Sequence, residues 1–127
     1  EHIAGLRERL AEQDKTLVIE LVPRENGCLR VNLSDYLAER LRHDYDYISG
    51  IFSDVEGTTV EKFFIAQKIE RVKELLAYDE FSLSEIAGML NYSSVAHLSA
   101  QFKRVTGLSP SAYKRAGRPG RLPLDKV

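Results

Sequence analysis

The side chains with the most chemistry to offer lie between Ser93 and Arg104. At about 100° per residue, Leu98, Phe102 and Val105 fall on one side of a helix and form its expected core face. Ala96, Ser99, Ala100, Lys103 and Arg104 fall on the other. That face suits a nucleic-acid duplex. Small residues let the helix axis approach base edges, and Ser99 can donate to a base or a phosphate. Ala96 or Ala100 can pack on a thymine methyl, Lys103 can neutralise a phosphate, and Arg104 can do the same or reach a guanine. The plain competitor is a set of good helix formers on a solvated surface.

Charge favours the first reading. The 127 residues sum to a formal charge of −1, but the signs are segregated. Up to Glu85 there are 18 acids against 11 bases. From Ile86 to Leu124 there is no Asp or Glu, and Lys103, Arg104, Lys114, Arg115, Arg118 and Arg121 stand alone. Such a split is expected when one part of a chain meets a polyanion and the rest does not.

Other chemistries find little support. There is no phosphate loop, no dinucleotide glycine fingerprint and no close His or Cys pair for a metal, so neither an enzyme nor a cofactor is expected. His2, Cys28, His43 and His97 are scattered. Cys28 follows Gly27 in loop chemistry and is expected to be an unpaired surface thiol rather than a sensor or nucleophile. A single cysteine forms no internal disulfide and suits a reducing cytoplasm. No stretch approaches the roughly 18 apolar residues of a membrane span. With 43% hydrophobic and 29% charged residues the composition is that of a soluble domain, and a start at Glu1 rather than Met suggests a piece of something longer.

The elements that must position the Ser93–Arg104 segment read as all-α, with about seven helices. Ile3, Leu6, Leu10, Leu17, Val18 and Leu21 mark an amphipathic helix over 2–22, ended before Pro23. A loop follows at Pro23–Gly27, and Leu29-Arg30-Val31 is a short extended candidate. Asn32 is a good N-cap for the next helix, with Asp35 three residues on. Thr58/Glu61 and Ser82/Glu85 fit the capping box, Ser109-Pro110 starts a further helix, and Asp44 is placed as the N-cap of another. The tyrosines 36, 45, 47, 92 and 113 are expected to pack in or at the rim of the core.

The chain also repeats itself at an offset of about 50 residues. Leu37-Ala38 aligns with Ile86-Ala87 and Leu41 with Leu90. After a turn one residue longer in the second copy, Ile48-Ser49 aligns with Leu98-Ser99, Phe52 with Phe102, Val55 with Val105, Gly57 with Gly107 and Phe63 with Tyr113. Each copy is helix, tight turn and second helix ended by Gly, a helix-turn-helix unit whose second helix can enter the major groove. The expected organisation is a leading linker helix and loop (1–31), a first unit (32–59), a connector helix (60–77), a second unit (78–116) and a basic tail (117–127).

This arrangement resembles the DNA-binding region of the AraC/XylS family of bacterial transcription regulators from about Asn32 to Arg115. The likeness is carried by Leu83-Ser84-Glu85-Ile86-Ala87, by Ser93 to Arg104, by Gly107-Leu108-Ser109-Pro110-Ser111-Ala112-Tyr113-Lys114-Arg115, and by the connector Lys68 to Leu76. Residues 1–31 resemble the linker of a bacterial subgroup in which a small domain similar to heavy-metal-associated domains precedes such a pair. The resemblance implies sequence-specific binding of double-stranded DNA. Ser93 and Ser94 stand ahead of the recognition helix, Val95 and His97 are its base-reading margins, and Ala96, Ser99, Ala100, Lys103 and Arg104 form its face.

The first copy departs from that pattern. The same wheel exposes Asp46, Ser49, Gly50, Ser53 and Asp54, so Ser53-Asp54 stands where the second copy has Lys103-Arg104. Residues 44–56 carry four acids and no base. A groove-facing surface of that sign meets repulsion and releases no counterions. The second unit is therefore expected to supply most DNA affinity. The first is expected to touch DNA weakly, through Tyr45, Ser49 or Ser53, or to face a protein such as RNA polymerase. Gly50 inside a helix costs roughly 1 kcal/mol relative to Ala, which a close approach to some surface would explain. A homodimer through the leading helix is a further option, although packing within its own bundle is favoured. Gly88 has no account from sequence.

Overall fold

Local signals set most of the helix boundaries. In the computed structural model, which describes residues 3–22 and 32–117, the elements are α1 (Ile3–Leu21), α2 (Leu33–Leu41), α3 (Tyr45–Glu56), α4 (Val60–Tyr78), α5 (Leu83–Met89), α6 (Val95–Thr106) and α7 (Pro110–Ala116). Among the described residues there is no strand. Cys28, His2, the 23–31 loop and extended piece, and the tail from Arg118 lie outside the described residues.

Asn32 caps α2 by accepting from Asp35 N, and Ser82 and Glu85 complete a reciprocal capping box on α5. Ser109 caps α7 with Pro110 in its first turn. Gly57 and Gly107 end α3 and α6 at φ of 78° and 86°, a region L side chains rarely adopt. One capping expectation is corrected. The cap of α4 is Thr59, accepting from Lys62 N, so the Thr58/Glu61 box does not form. Glu61 instead accepts from the Tyr45 hydroxyl at 2.6 Å. Asp44 occupies the N-cap position of α3 without a side-chain cap hydrogen bond.

The repeat is visible as two cores of the same construction. Leu37, Ile48 and Phe52 are fully buried in the first, and Ile86, Leu98 and Phe102 in the second. Each buried Phe meets the aromatic ring of the following helix, Phe52 on Phe63 at 5.7 Å and Phe102 on Tyr113 at 5.5 Å. Connector α4 supplies Val60 to the first core and Ile69, Val72, Leu75 and Leu76 to the second, with Phe64 touching both. The angle between Leu98 and Val105 on the wheel is small, yet Val105 is 48% exposed and Val55, its counterpart, 36%. A wheel records angle and not axial position, and both valines lie in the last turn of their helix, beyond the packed layers.

Helix α1 is more than a linker. It lies mainly against α3, with further contact to α4 and α2. Ala11, Asp14 and Val18 are fully buried, and Val22 just beyond it reaches the second core. Of the stripe suggested for pairing with a second copy, Val18 is buried and Leu10, Leu17 and Leu21 are half-buried within the chain, whereas Leu6 is exposed.

Candidate nucleic-acid interface

The turn ahead of α6 is built for one geometry. Asn91 takes a left-handed φ of 61°, which Asn tolerates better than most residues. Tyr92 N donates to Ala87 O at 2.8 Å, and Ser94 caps α6 by accepting from His97 N at 3.0 Å. Leu98 and Phe102 lock the inner face. On the outer face Ala96, Ala100, Lys103 and Arg104 are exposed, Ser93 and Ser94 are exposed just before it, and Val95 and Ser99 are half-buried at its margins. Val95 packs against the second core. Neither Lys103 nor Arg104 makes an ion pair among the described residues, so both cations are available to a ligand. Lys114, by contrast, is bonded to Asp79.

His97 is tied into a chain of contacts that the sequence did not reveal. Its Nδ1 lies 3.2 Å from Ser93 Oγ, and its ring stands edge-on to Tyr92 at 5.1 Å. Tyr92 is buried, with its hydroxyl donating to Gln101 Oε1 at 2.6 Å. Lys68 of α4 places its ammonium 4.0 Å from the centre of the Tyr92 ring and 5.3 Å from that of Phe64. Lys68 is itself buried, and burial holds its amine down to about 8. The start of α6 is thus clamped to the connector. The only sequence signal for it was a Lys flanking the apolar side of α4.

The first unit preserves this layout and uses it differently. His43 and Tyr47 face each other at 5.0 Å, the aromatic pair of the second unit with its members exchanged. Tyr47 and Asp54 hold the wheel positions of His97 and Arg104, but α1 borders this side of α3. Arg7 Nη2 meets Asp54 Oδ2 at 2.7 Å, and Lys15 Nζ meets Glu56 Oε1 at 3.4 Å. Two of the four acids in 44–56 are therefore countered by α1, which reduces the repulsion inferred from sequence. Asp44 and Asp46 keep no ion pair among the described residues.

The candidate first-unit contacts are partly engaged. Tyr45 is committed to Glu61, and burial together with that carboxylate raises its phenol well above the usual range. Ser49 donates back to Asp46 O at 3.5 Å, and Ser53 is half-buried. Gly50 and Gly88 are exposed, and a Cβ at either would meet nothing within 4 Å. No close approach inside the chain requires them. Among the described residues, no three His, Cys, Asp or Glu side chains gather to hold a metal ion, and no helix is long and apolar enough to cross a membrane.

Two helix-turn-helix units packed on a shared helix define a double helix-turn-helix fold. Residues 37–116 match the model of a helix-turn-helix domain family. The chain belongs to that family, the AraC/XylS-type DNA-binding transcription regulators. It is 27% identical over 97 residues to the melibiose operon regulatory protein of Escherichia coli (strain K12), covering 76% of this chain and 32% of that one. The chain spans about a third or less of the length of the curated relatives it matches. Its fold is similar to the C-terminal domain of AraT, a response regulator from Geobacillus stearothermophilus, with a TM-score of 0.73, 20% identity and 89% of each chain covered. It is likewise similar to the DNA-binding domain of AdpA, a global transcriptional factor solved with a target DNA. That comparison has a TM-score of 0.69 and 24% identity, covering 87% of this chain and 96% of the other.

Proposed function

We propose that this chain is the sequence-specific double-stranded DNA-binding part of a cytoplasmic bacterial transcription regulator, and that its second unit does most of the reading. It acts by binding and carries out no turnover. The observation that carries this is the contrast between equivalent helices. The outward face of α6 presents Lys103 and Arg104 unpaired beside small residues, whereas on α3 the position of Arg104 holds Asp54, engaged by Arg7. Helix α6 enters the major groove, with Ser93, Ser94, Val95, Ala96, His97, Ser99 and Ala100 at the bases and adjoining backbone. Lys103 and Arg104 neutralise phosphates. Exposed Asp44 and Asp46 on α3 favour a protein partner for that face, such as RNA polymerase, over a second groove.

The test is binding to duplex DNA across a salt series. Neutralising two phosphates through Lys103 and Arg104 gives a slope of log K against log salt of roughly −1.8. Lys103→Ala and Arg104→Ala each make that slope shallower by about 1. Binding that is absent, or indifferent to salt, overturns the proposal.

A further inference from the structure

The contacts around His97 point to more than a margin residue. Resting on the reading of α6 as the groove helix, we propose that His97 is a specificity-determining donor: its Nε2–H reads the N7 acceptor of a purine, and Ser93 is the positioning residue that sets this tautomer.

A neutral imidazole has one donor and one acceptor nitrogen, and the partner of one decides the role of the other. Ser93 Oγ lies 3.2 Å from Nδ1 and makes no other hydrogen bond among the described residues. Either group could donate across that contact; in the proposed tautomer the hydroxyl donates into Nδ1 and the hydrogen stays on Nε2, which has no partner among the described residues. The ring is exposed and stands edge-on to Tyr92, which Lys68 and Gln101 hold from the interior. On the wheel His97 falls beside Ala100 and Arg104, so it borders the face that meets the groove. Every purine presents N7 there, and guanine adds O6, whereas no pyrimidine has an equivalent ring acceptor.

The first unit supplies a contrast within the same molecule. Its equivalent position, Tyr47, pairs with His43 and has no hydroxyl partner like Ser93 among the described residues, and α1 borders it. The device is therefore a property of the second unit and adds to the asymmetry between the two.

The experiment uses the full chain and duplexes that it selects from a random-sequence library. Each purine of the selected site is replaced in turn by its 7-deaza analogue, which removes N7 and keeps the Watson–Crick edge. One position is expected to lose affinity by about tenfold with the wild-type chain and to show no penalty with His97→Ala. With Ser93→Ala, whose side chain is exposed and outside the core, the penalty at that position shrinks. The proposal is overturned if no deaza penalty depends on His97. It is equally overturned if the His97-dependent penalty follows removal of an adenine or cytosine amino group, or if His97→Ala weakens all sequences alike, as a phosphate contact would. Salt-dependent, selective binding with any of these results refutes the role of His97 alone, whereas loss of all salt-dependent binding refutes the reading of α6 itself.

Discussion

Asp14 is fully buried in α1, where α1 meets the first unit, and neither carboxylate oxygen has a hydrogen-bond partner. Burial lifts its carboxyl from 3.8 to about 7. Because the folded state holds this proton more tightly than the unfolded state, the native chain binds more protons between about pH 4 and 7, and stability must fall as pH rises through that window. Working from the two values, the loss between pH 5 and pH 8 is about 2–3 kcal/mol, on the order of 10 °C in melting temperature for a domain of this size. Asp14→Asn keeps the shape and cannot ionise. Urea or thermal unfolding of both proteins at pH 5 and pH 8 should show the wild type losing about that much relative to the variant, with other titrations cancelling in the difference. A difference between the two proteins that does not change with pH, or that moves in favour of the wild type as pH rises, refutes the reasoning.

Other substitutions probe the remaining claims. Gly50→Ala should stabilise the chain by about 0.5–1 kcal/mol in chemical unfolding, since the site is helical and open; destabilisation would show that α3 is held differently. Asp46→Lys should strengthen binding to unselected DNA more than Asp54→Lys does, because Asp54 is already countered by Arg7 at the border with α1; titrations at low salt compare them. Phe102→Ala should cost about 3–5 kcal/mol of stability, since the ring is fully buried against Tyr113; denaturant unfolding measures it, and a cost below 1 kcal/mol would argue against that core.

Much of the candidate site was legible because it is local. The cap at Ser109, the stop at Gly107 and the inward Leu98 and Phe102 each depend on residues within one or two turns, and their side-chain types announce them. The aligned pairs Leu37/Ile86, Ile48/Leu98 and Phe52/Phe102 proved fully buried for the same reason, since periodicity selects a face. Thr58 failed as a cap by one residue because two hydroxyls stand side by side and local chemistry does not choose between them. Val105 failed because the wheel has no axial coordinate.

By itself the sequence determined an all-α chain, two copies of one helical unit, and a cationic second-unit helix set against an acidic counterpart. Those properties follow from short-range spacing and from charge, which need no knowledge of what lies across the fold. The tertiary structure alone decided what the charges and rings do. It set Arg7 against Asp54 across 47 residues, held Lys68 of the connector over Tyr92 behind His97, and buried Asp14 without a partner. These outcomes depend on how helices distant in sequence pack, and a net charge or a helical wheel carries no information about which surfaces meet.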